Sequence, residues 1–373
     1  MSAYRVVRIE LPPDSTGPIP AWHRAWTDLN REWHLEAFDH DDMVSPAVNT
    51  WPNLTDQRLW GKSYVAAVPA DLPAEKCDET GLPIDPNDYL GLAFLGMPLK
   101  DNQHLVEFDP VVRAAHRGKG IGSALWFETE QVTREAGRAT VIAYAIHREP
   151  AEGEDRMIPA TESGAVAADH ITRFASRHGF TVEQVEQQST LFLPVSAGAT
   201  ASWIAEAEMK AGSDYRLLQW ANRTPEGRLD AMAALYQRMS VDTPSGEVEF
   251  EEEVWDADRV RQNDERVAKS GRSYLLSAVE HVPSGALVAF TELNVPQGRI
   301  AAYQHETLVH GEHRGKRLGL WVKAANLDFL VREHPQVQRI HTWNADENHH
   351  MLAINKRIGF QVASVEGVWQ RKL

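Results

Sequence analysis

The sequence predicts an α/β protein built from two tandem copies of one domain. The chain has 373 residues, a length that fits two domains of ordinary size. The heptapeptide HRGKGIG at residues 116–122 returns as HRGKRLG at residues 313–319, 197 residues later. Each heptapeptide precedes the same order of elements: a long helix, a strand, a second helix that ends on Gly-Phe, and a terminal strand. We therefore expect two homologous domains, at residues 1–198 and 199–373.

The composition is that of a folded, acidic protein, and it excludes several functions. Hydrophobic residues make up 43% and charged residues 24% of the chain, as in an ordinary globular domain. The formal net charge of −15 argues against nucleic acid as a ligand, because phosphate binding needs a basic surface. The sequence has no apolar run of transmembrane length, and its single cysteine, Cys77, excludes intrachain disulfides. We expect a cytoplasmic monomer or homodimer without membrane or nucleic-acid partners.

The elements ahead of each heptapeptide agree between the two halves. In the second half, periodicity predicts a strand, a helix, a hairpin of two strands and one further strand, at residues 215–221, 227–242, 273–282, 286–295 and 299–310. The first half carries corresponding segments at residues 4–11, 20–39, 64–70, 89–96 and 104–112. Small and polar residues at 195–202 predict the connection between the halves, followed by a bridging helix.

The two glycine turns are the candidate binding sites. A strand that runs into R-x-x-G-x-G and then a helix brings free backbone N–H groups to the positive end of the helix dipole, which suits a pyrophosphate. Gly120 and Gly122 have no side chain where a ligand must come close. Lys119 and Lys316 either lie near the phosphates or are solvated.

The segment Arg117-Gly118-Lys119-Gly120-Ile121-Gly122 resembles the acetyl-CoA pyrophosphate loop of the GCN5-related N-acetyltransferase (GNAT) family. The second half, from TLVHGEHRGKRLGL through TWNADENHHMLAINKRIGF, resembles tandem acetyltransferases of actinobacteria. The resemblance covers essentially the whole chain. It implies in each copy a mixed, mostly antiparallel sheet with flanking helices, splayed between its fourth and fifth strands. It also implies acetyl-CoA as the cosubstrate, held in that split, and no metal.

The resemblance further implies which residues bind the cofactor. The pantetheine arm would bond to the backbone of the fourth strands, at Val111, Val112, Leu308 and Val309. The pyrophosphate would lie on the two turns, formed by Arg117, Gly118, Lys119, Gly120, Ile121, Gly122 and Ser123 in the first copy and by Arg314, Gly315, Lys316, Arg317, Leu318 and Gly319 in the second. Asn348 would bond to CoA, or else would cap the helix that it precedes.

Two features depart from the family pattern, at three positions. Arg317 replaces the glycine at position 120 of the first copy, and it either crowds the pyrophosphate or adds a favourable charge. The tyrosine that family members often carry four residues before the helix-ending glycine, as proton donor to the thiolate, is replaced by Ala175 and Asn355. Because a thiolate is a tolerable leaving group near neutral pH, we expect slower transfer rather than none.

The general base is expected on a fourth strand. Acyl transfer requires a neutral amine, so a carboxylate or an imidazole must remove a proton. The glutamate that many family members use there is replaced by Val106 and Tyr303. The nearby candidates are Glu107 and Asp109 in the first copy and His305 and Glu306 in the second. We choose Glu306 and His305 as the catalytic residues, because one strand presents them side by side; the alternative is that each is a solvated strand residue.

Three further features have open interpretations. An insertion at residues 147–163 either covers an acceptor site in the first domain or is a surface loop. His349 and His350 lack the spacing of metal ligands and predict a solvated helix face. Five tryptophans of the first domain either line the acceptor site or pack in the core: Trp22, Trp26, Trp33, Trp51 and Trp60.

The sequence thus favours an acetyl-CoA-dependent N-acetyltransferase that acts directly on the amine of a small molecule. One domain would be catalytic and the other structural or cofactor-binding. Two alternatives stay open: a non-catalytic CoA-binding or scaffold protein, and a transferase of a longer acyl or aminoacyl group. The net charge is a weak indication of cationic acceptors. A covalent cysteine relay is disfavoured, because Cys77 lies outside both turns.

Overall fold

The computed structural model describes residues 3–373, which form two compact units. The first unit comprises the chain up to Ala145 together with Ala168–Val182 and Val368–Leu373. The second comprises Ile146–Ala167 and Glu183–Gly367. Each unit therefore includes chain from the other half of the sequence. The boundary between the two repeats at residue 198 stays a prediction, because these units group residues by contact and not by repeat.

The first unit is a mixed sheet with flanking helices. Its strands are β1 (Tyr4–Ile9), β2 (Trp60–Pro69), β3 (Gly91–Pro98), β4 (Leu105–Val112) and β5 (Thr140–His147). Its helices are α1 (Ala21–Phe38), α2 (Ala47–Leu54), α3 (Ile121–Glu135) and α4 (His170–Arg177). The strands pair in chain order, antiparallel from β1 to β4 and parallel between β4 and β5. The Leu373 N–H donates to the Ala139 carbonyl, 2.8 Å away, so the C-terminus of the chain lies beside β5.

The second unit repeats this plan. Its strands include a short pair, β6 (Arg156–Met157) and β7 (Val166–Ala167), and then β8 (Thr181–Phe192), β9 (Tyr215–Ala221), β10 (Arg272–His281), β11 (Ala286–Pro296), β12 (Ala301–Val309) and β13 (Arg339–Ala345). Strand β14 (Gln361–Lys372) is divided, since its residues from Val368 onward belong to the first unit. Its helices are α5 (Ala199–Ala211), α6 (Leu229–Asp242), α7 (Ala257–Lys269), α8 (Leu318–Glu333) and α9 (His349–Ile358). The order in the main sheet is β8-β13-β12-β11-β10-β9, with β12 and β13 parallel. Strand β8 thus comes from the first half of the sequence and pairs with β13 through residues 186–192.

The parallel pair of strands comes apart in both units. Strand β4 pairs with β5 only from Leu105 to Glu107, and β12 pairs with β13 only from Ala301 to Gln304. Within the described residues, the rest of β4 and of β12 is paired on one edge alone. Pro110, which has no N–H to donate, lies in the parted stretch of β4. The predicted splayed, mixed sheet is therefore confirmed.

Helices cover both faces of the second unit's sheet. One core lies under α6 and α7 and includes Met232, Tyr274 and Phe290. The other lies under α8, whose residues from Leu318 to Leu327 are all buried. A helix that is buried all round is enclosed by its neighbours, and α8 packs against α5, α9 and the sheet. Its side chains therefore meet protein in every direction.

Two helices lie where the sequence predicted none. Helix α7 is mostly polar, but Val260, Asp264 and Val267 share its buried face, and the Asp256 carboxylate caps it by accepting from Arg259 N–H at 2.7 Å. Helix α2 contains Pro52, which sequence reasoning treats as a helix breaker. Helix α5 begins at Ala199, inside the segment predicted to be the connection.

Separate halves of the chain should fold poorly, because the sheet of each unit includes chain from the other half. We expect the fragment 199–373, which lacks β8, to melt at least about 10 °C below the fragment 146–373, which retains it. The physical reason is the loss of the β8–β13 ladder and of the buried Leu191 side chain. Thermal unfolding followed by circular dichroism measures the difference, and equal melting temperatures would show that β8 is dispensable.

Candidate active sites

The first glycine turn presents an open helix N-terminus. Strand β4 leads through one turn of 3₁₀ helix, Ala114–His116, into α3. Gly118 and Gly120 have φ angles of +74° and +84°, in the left-handed region that favours glycine. Gly120 caps α3 without a side-chain hydrogen bond. The first N–H groups of α3 are therefore available to an anion, and the pyrophosphate site stays a prediction.

Two of the three glycines have a close neighbour, and one does not. A Cβ at Gly122 would lie 3.2 Å from Phe174 Cε2, and a Cβ at Gly120 would lie 3.2 Å from the Tyr4 hydroxyl. At Gly118 it would meet no atom within 4 Å. Ile121 is buried, and the adjacent Ser123 hydroxyl lies 2.9 Å from His178 Nε2. Gly118 thus leaves open space at the turn, whereas Gly120 lies close to the Tyr4 hydroxyl and Gly122 allows α4 to pack closely.

The basic residues of the first turn are bonded to the protein itself. Arg117 Nε donates to the Val112 carbonyl at 3.1 Å, and its Nη1 donates to Glu36 Oε1 at 2.8 Å. The exposed Lys119 donates through Nζ to the Ala115 carbonyl at 2.9 Å. Arg117 therefore holds the turn against β4 and α1. The predicted contact of pantetheine with Val112 would have to share that carbonyl, and the Val111 side chain is buried in the core.

The second turn repeats the geometry with a different residue at the cap. Arg314 Nε donates to the Val309 carbonyl at 3.3 Å, as Arg117 does in the first turn. Arg317 occupies the cap of α8 with a φ of +61°, a conformation that is strained for a residue with a side chain. Its guanidinium forms an ion pair with Glu206 of α5, which also pairs with Arg357 of α9. A carboxylate thus lies beside the second turn, and Arg317 is directed toward it.

The other predicted residues of the second turn divide between exposed and packed positions. Gly315 and Lys316 are exposed, whereas Leu308, Leu318 and Gly319 are buried. A Cβ at Gly319 would lie 3.0 Å from Ile354 Cδ1, so this glycine lets α9 approach α8. Asn348 caps α9, its Oδ1 accepting from Met351 N–H at 3.3 Å. Its bond to CoA stays a prediction.

Two carboxylates share one face of the fourth strand in the first unit. Glu107 and Asp109 are two residues apart on β4, and Asp109 lies opposite Phe94 of β3. Burial raises the pKa of Glu107 to about 7, with a smaller contribution from Asp109. The Asp109 side chain reaches solvent, yet the protein atoms around it raise its pKa to about 6. Both groups can therefore accept a proton near neutral pH.

Aromatic rings stand next to these carboxylates. The Trp26 and Tyr64 ring centroids are 5.4 Å apart, and those of Tyr64 and Phe94 are 5.3 Å apart. Burial, and secondarily the charge of Asp109, raises the pKa of Tyr64, so its hydroxyl stays neutral. Of the other tryptophans, Trp22 and Trp51 lie in the core, Trp33 packs against it, and Trp60 is exposed. Trp26 is partly buried and packs against Tyr64 and Phe94.

A β-bulge places the two predicted catalytic residues of the second unit. Thr291 of β11 pairs with Thr307 of β12, and Leu293 pairs with Gln304, so that Glu292 alone faces both His305 and Glu306. The bulge lies where β12 has already parted from β13. A bulge places two consecutive side chains on one face of the sheet, which the alternation of a regular strand would not do.

The surroundings of the bulge keep the His305 imidazole neutral. His305 reaches solvent, but crowding by protein atoms lowers its pKa; Glu306 opposes this shift, while Arg272 and Arg266 add to it. Behind the bulge, Glu292 is buried and accepts from the Tyr236 hydroxyl at 2.8 Å. Burial, together with the charge of Glu306, raises the pKa of Glu292 well above its usual value. A neutral imidazole thus lies beside a buried carboxyl group.

No family model matches the sequence, and no curated protein matches it. Solved structures match along the whole chain. A tandem GNAT protein from the clavulanic acid biosynthesis pathway superimposes with a TM-score of 0.70 at 21% identity, over 99% of this chain and 98% of that one. A GCN5-related N-acetyltransferase from Sphaerobacter thermophilus gives 0.60 at 15% identity, over 98% and 95%. The chain has the tandem GNAT fold.

Some residues near the candidate sites were not selected from the sequence. Glu292 and Lys323 are buried ionisable residues of the second unit that sequence reasoning did not select. The signal for Lys323 was present, since it lies in the otherwise apolar start of α8. No pattern marked Glu292, whose position depends on the bulge. The insertion at residues 147–163 belongs to the second unit, where the Ser163 hydroxyl donates to Asp346 at 3.3 Å.

Three side chains at the second turn could bind a cation. The ligand atoms of His310, Glu312 and His313 lie within 4.8 Å of one another. His313 Nδ1 already lies 2.9 Å from the Tyr215 hydroxyl, which leaves Nε2 for other bonds. His349 and His350, by contrast, are exposed at the start of α9.

Among the described residues, none of the helices combines the length and apolar character needed to cross a bilayer.

The open first turn should bind CoA through backbone that a carboxylate would block. In Gly120→Glu, we expect CoA binding at this turn to weaken at least tenfold, since the new side chain adds a negative charge and strains a left-handed residue, at about 1–2 kcal/mol. Calorimetric titration with CoA measures this. The matched control is Gly137→Glu at the other end of α3, where φ is +68° and no atom lies within 4 Å of a Cβ. Identical titrations of the two variants would rule out the first-turn site.

Proposed function

We propose that the protein transfers an acetyl group from acetyl-CoA directly to the amine of a small molecule. The observation that carries this proposal is the parted strand pair, which runs into a glycine turn at a helix N-terminus in each unit. The parted edges offer backbone N–H and C=O groups to an amide-rich chain such as pantetheine. The helix N-termini offer donors to a pyrophosphate. The tandem GNAT fold is consistent with both roles.

We assign the chemistry to the second unit, with His305 and Glu306 as the catalytic residues. The bulge presents both at the parted edge of β12. A neutral His305 can take a proton from the attacking amine, directly or through a water molecule. Glu306 supplies negative charge next to the imidazolium that then forms. The buried Glu292 and its Tyr236 partner hold β11 behind the bulge.

The acetyl transfer proceeds through the following bond changes. The neutral amine nitrogen attacks the thioester carbonyl carbon, a C–N bond forms, and His305 receives one N–H proton. The C–S bond then breaks, its electron pair stays on sulfur, and the thiolate takes a proton from solvent or from His305. The products are the N-acetylated amine and free CoA. No covalent bond to the protein forms, in keeping with the position of Cys77 outside both turns.

The acceptor should be a small cationic amine. The net charge of −15 and the carboxylates of both candidate sites attract such a molecule. In the first unit, Phe94 pairs with Asp109 across β3 and β4, and its ring centroid lies 6.5 Å from that of Trp26, an arrangement of aromatic rings and carboxylates that favours a cation over an anion. This arrangement makes the first unit the second candidate for catalysis, with Glu107 as the base.

The pH profile should distinguish the two units. A base works deprotonated, so kcat/KM falls as the pH drops through its pKa. For His305, whose pKa is lowered, that fall should be centred below the ordinary pKa of an imidazole, and His305→Gln should reduce kcat/KM by about 10²–10⁴-fold. For Glu107 the fall would centre near pH 7. Acceptor-dependent thiol release from acetyl-CoA, measured across a panel of amines, provides the rates.

The matched variants are Glu306→Gln and Glu107→Gln. We expect the first to lower kcat and the second to leave the pH profile unchanged. If Glu107→Gln loses activity while His305→Gln keeps the wild-type rate, the catalytic site lies in the first unit and the assignment to the second unit is wrong. CoA binding without acceptor-dependent thiol release from any amine would instead support a non-catalytic CoA-binding protein.

A further inference from the structure

A lysine lies buried in the second unit next to its parted strands. Lys323 is 4% exposed in the middle of α8, which neighbouring elements enclose. Its ammonium donates to Asn355 Oδ1 at 2.7 Å and lies 5.7 Å from the centre of the Phe360 ring. Neither contact is an ion pair. A buried lysine without an acidic partner is costly, so the fold alone gives no reason to keep it.

The hydrogen bonds from Lys323 run in one direction. An ammonium can only donate, so the amide of Asn355 must turn its oxygen toward Lys323. Asn355 Nδ2 then donates to Asn344 Oδ1, 2.5 Å away. The Asn344 amide must in turn present its own N–H groups to the surroundings. The series of hydrogen bonds thus begins at the buried Lys323 ammonium and ends at the two N–H donors of the Asn344 amide.

Those donors lie on the parted part of β13. Asn344 is half-buried, two residues beyond Thr342, the last residue that β13 pairs with β12. Its backbone pairs on the other edge with Gln187 of β8. The edge toward β12 is the one that has opened. Asn344 is therefore at the split that the proposed function gives to the acetyl-CoA thioester.

The first unit shows that the fold does not require this series of hydrogen bonds. Counting from the two glycine turns and from the two Gly-Phe pairs, Lys323, Asn355 and Phe360 correspond to Trp126, Ala175 and Phe180. All three residues of the first unit are buried and apolar, and the Trp126 and Phe180 rings are 4.7 Å apart. The same position in the fold is thus occupied by apolar side chains in the first unit and by a hydrogen-bonded lysine in the second.

We propose that Lys323 is a positioning residue which, through Asn355, makes the Asn344 amide a strengthened donor to the negative charge that develops on the thioester. This inference rests on the proposed function. A positive charge at one end of a hydrogen-bond chain polarises every bond along it. As the C–S bond breaks, its electron pair moves onto sulfur, and donors already in place lower the energy of that state. The proton that the thiolate finally takes still comes from solvent or from His305.

The charge state of Lys323 gives the proposal a pH signature. Burial alone lowers the pKa of Lys323 to about 7. Carboxylates on the elements around α8 are bonded elsewhere: Glu206 to Arg317 and Arg357, Glu280 to Arg216 and Arg228, and Glu292 to Tyr236. At the bulge of β12, His305 and Glu306 influence each other, and neither affects the Lys323 shift. The ammonium is present below its pKa, so its contribution to kcat/KM should disappear as the pH rises through about 7.

The test is Lys323→Met, which keeps the length of the side chain and removes the charge. Removal of one donor to a developing anion typically costs about 10²–10³-fold in kcat; because Lys323 acts through two amides, we expect about 10–100-fold. The KM for acetyl-CoA should change less than about twofold, and the alkaline fall in kcat/KM should vanish. The melting temperature should change little, because removal of the buried charge offsets the loss of the donor to Asn355 Oδ1.

Two further variants separate positioning from structure. Asn344→Ala should lower kcat as Lys323→Met does, and the double variant should be no slower than the slower single one, because both interrupt one chain. Asn326→Ala is the structural control: Asn326 is equally buried on α8 but bonds to Leu275 and Ser277 of β10. It should lower the melting temperature and leave kcat and the pH profile unchanged.

The outcomes distinguish this inference from the proposed function. An active wild-type protein whose kcat and alkaline limb survive Lys323→Met would overturn the role of Lys323 alone. Additive losses in the double variant would also overturn it, since they would mean that the two residues act separately. A wild-type protein without acceptor-dependent thiol release would overturn the proposed function and, with it, this inference.

Discussion

Both candidate sites depend on two parallel strands that pair for a few residues and then part. Backbone groups inside a sheet normally bond to each other, and a chain that leaves them unpaired needs another partner for them. In β4 and β12, the parted stretch lies between the paired start of the strand and the glycine turn. Strand edge, turn and helix N-terminus therefore form one continuous row of polar backbone groups. The side chains around each row then determine which ligand it can bind and which reaction it can support.

The two units fill the same framework with different chemistry. The first has an open glycine turn, carboxylates on a regular strand, and aromatic residues around them. The second has an arginine at the turn that is paired with Glu206, a bulge with an imidazole, and a buried lysine behind the split. Duplication of a fold allows one copy to keep its stability while the other accepts costly buried charges. The asymmetry is the physical basis on which we propose different roles for the two copies.

The sequence was sufficient for the repeat, the turns, most helices and strands, and, through family resemblance, the split sheet. It was insufficient where a feature belongs to a pair of segments. The bulge at His305 and Glu306 is a shift of register between two strands, and neither strand encodes it alone. Lys323 is buried because α8 is enclosed on all sides, a fact that its neighbours in sequence do not reveal. Helix α7 was missed because its short buried face is diluted by charged residues.

The strand pairing was also beyond the sequence, and it has a consequence for synthesis. Periodicity identifies a strand but not its partner, so nothing predicted that the first unit would include Val368–Leu373. A nascent chain is made at about 5–20 residues per second, so on the order of ten to forty seconds pass between the emergence of β5 and that of its C-terminal neighbour. During this time β5 keeps an open edge on the ribosome. The first unit thus begins to form first, but its sheet is completed only after Val368–Leu373 have been synthesised.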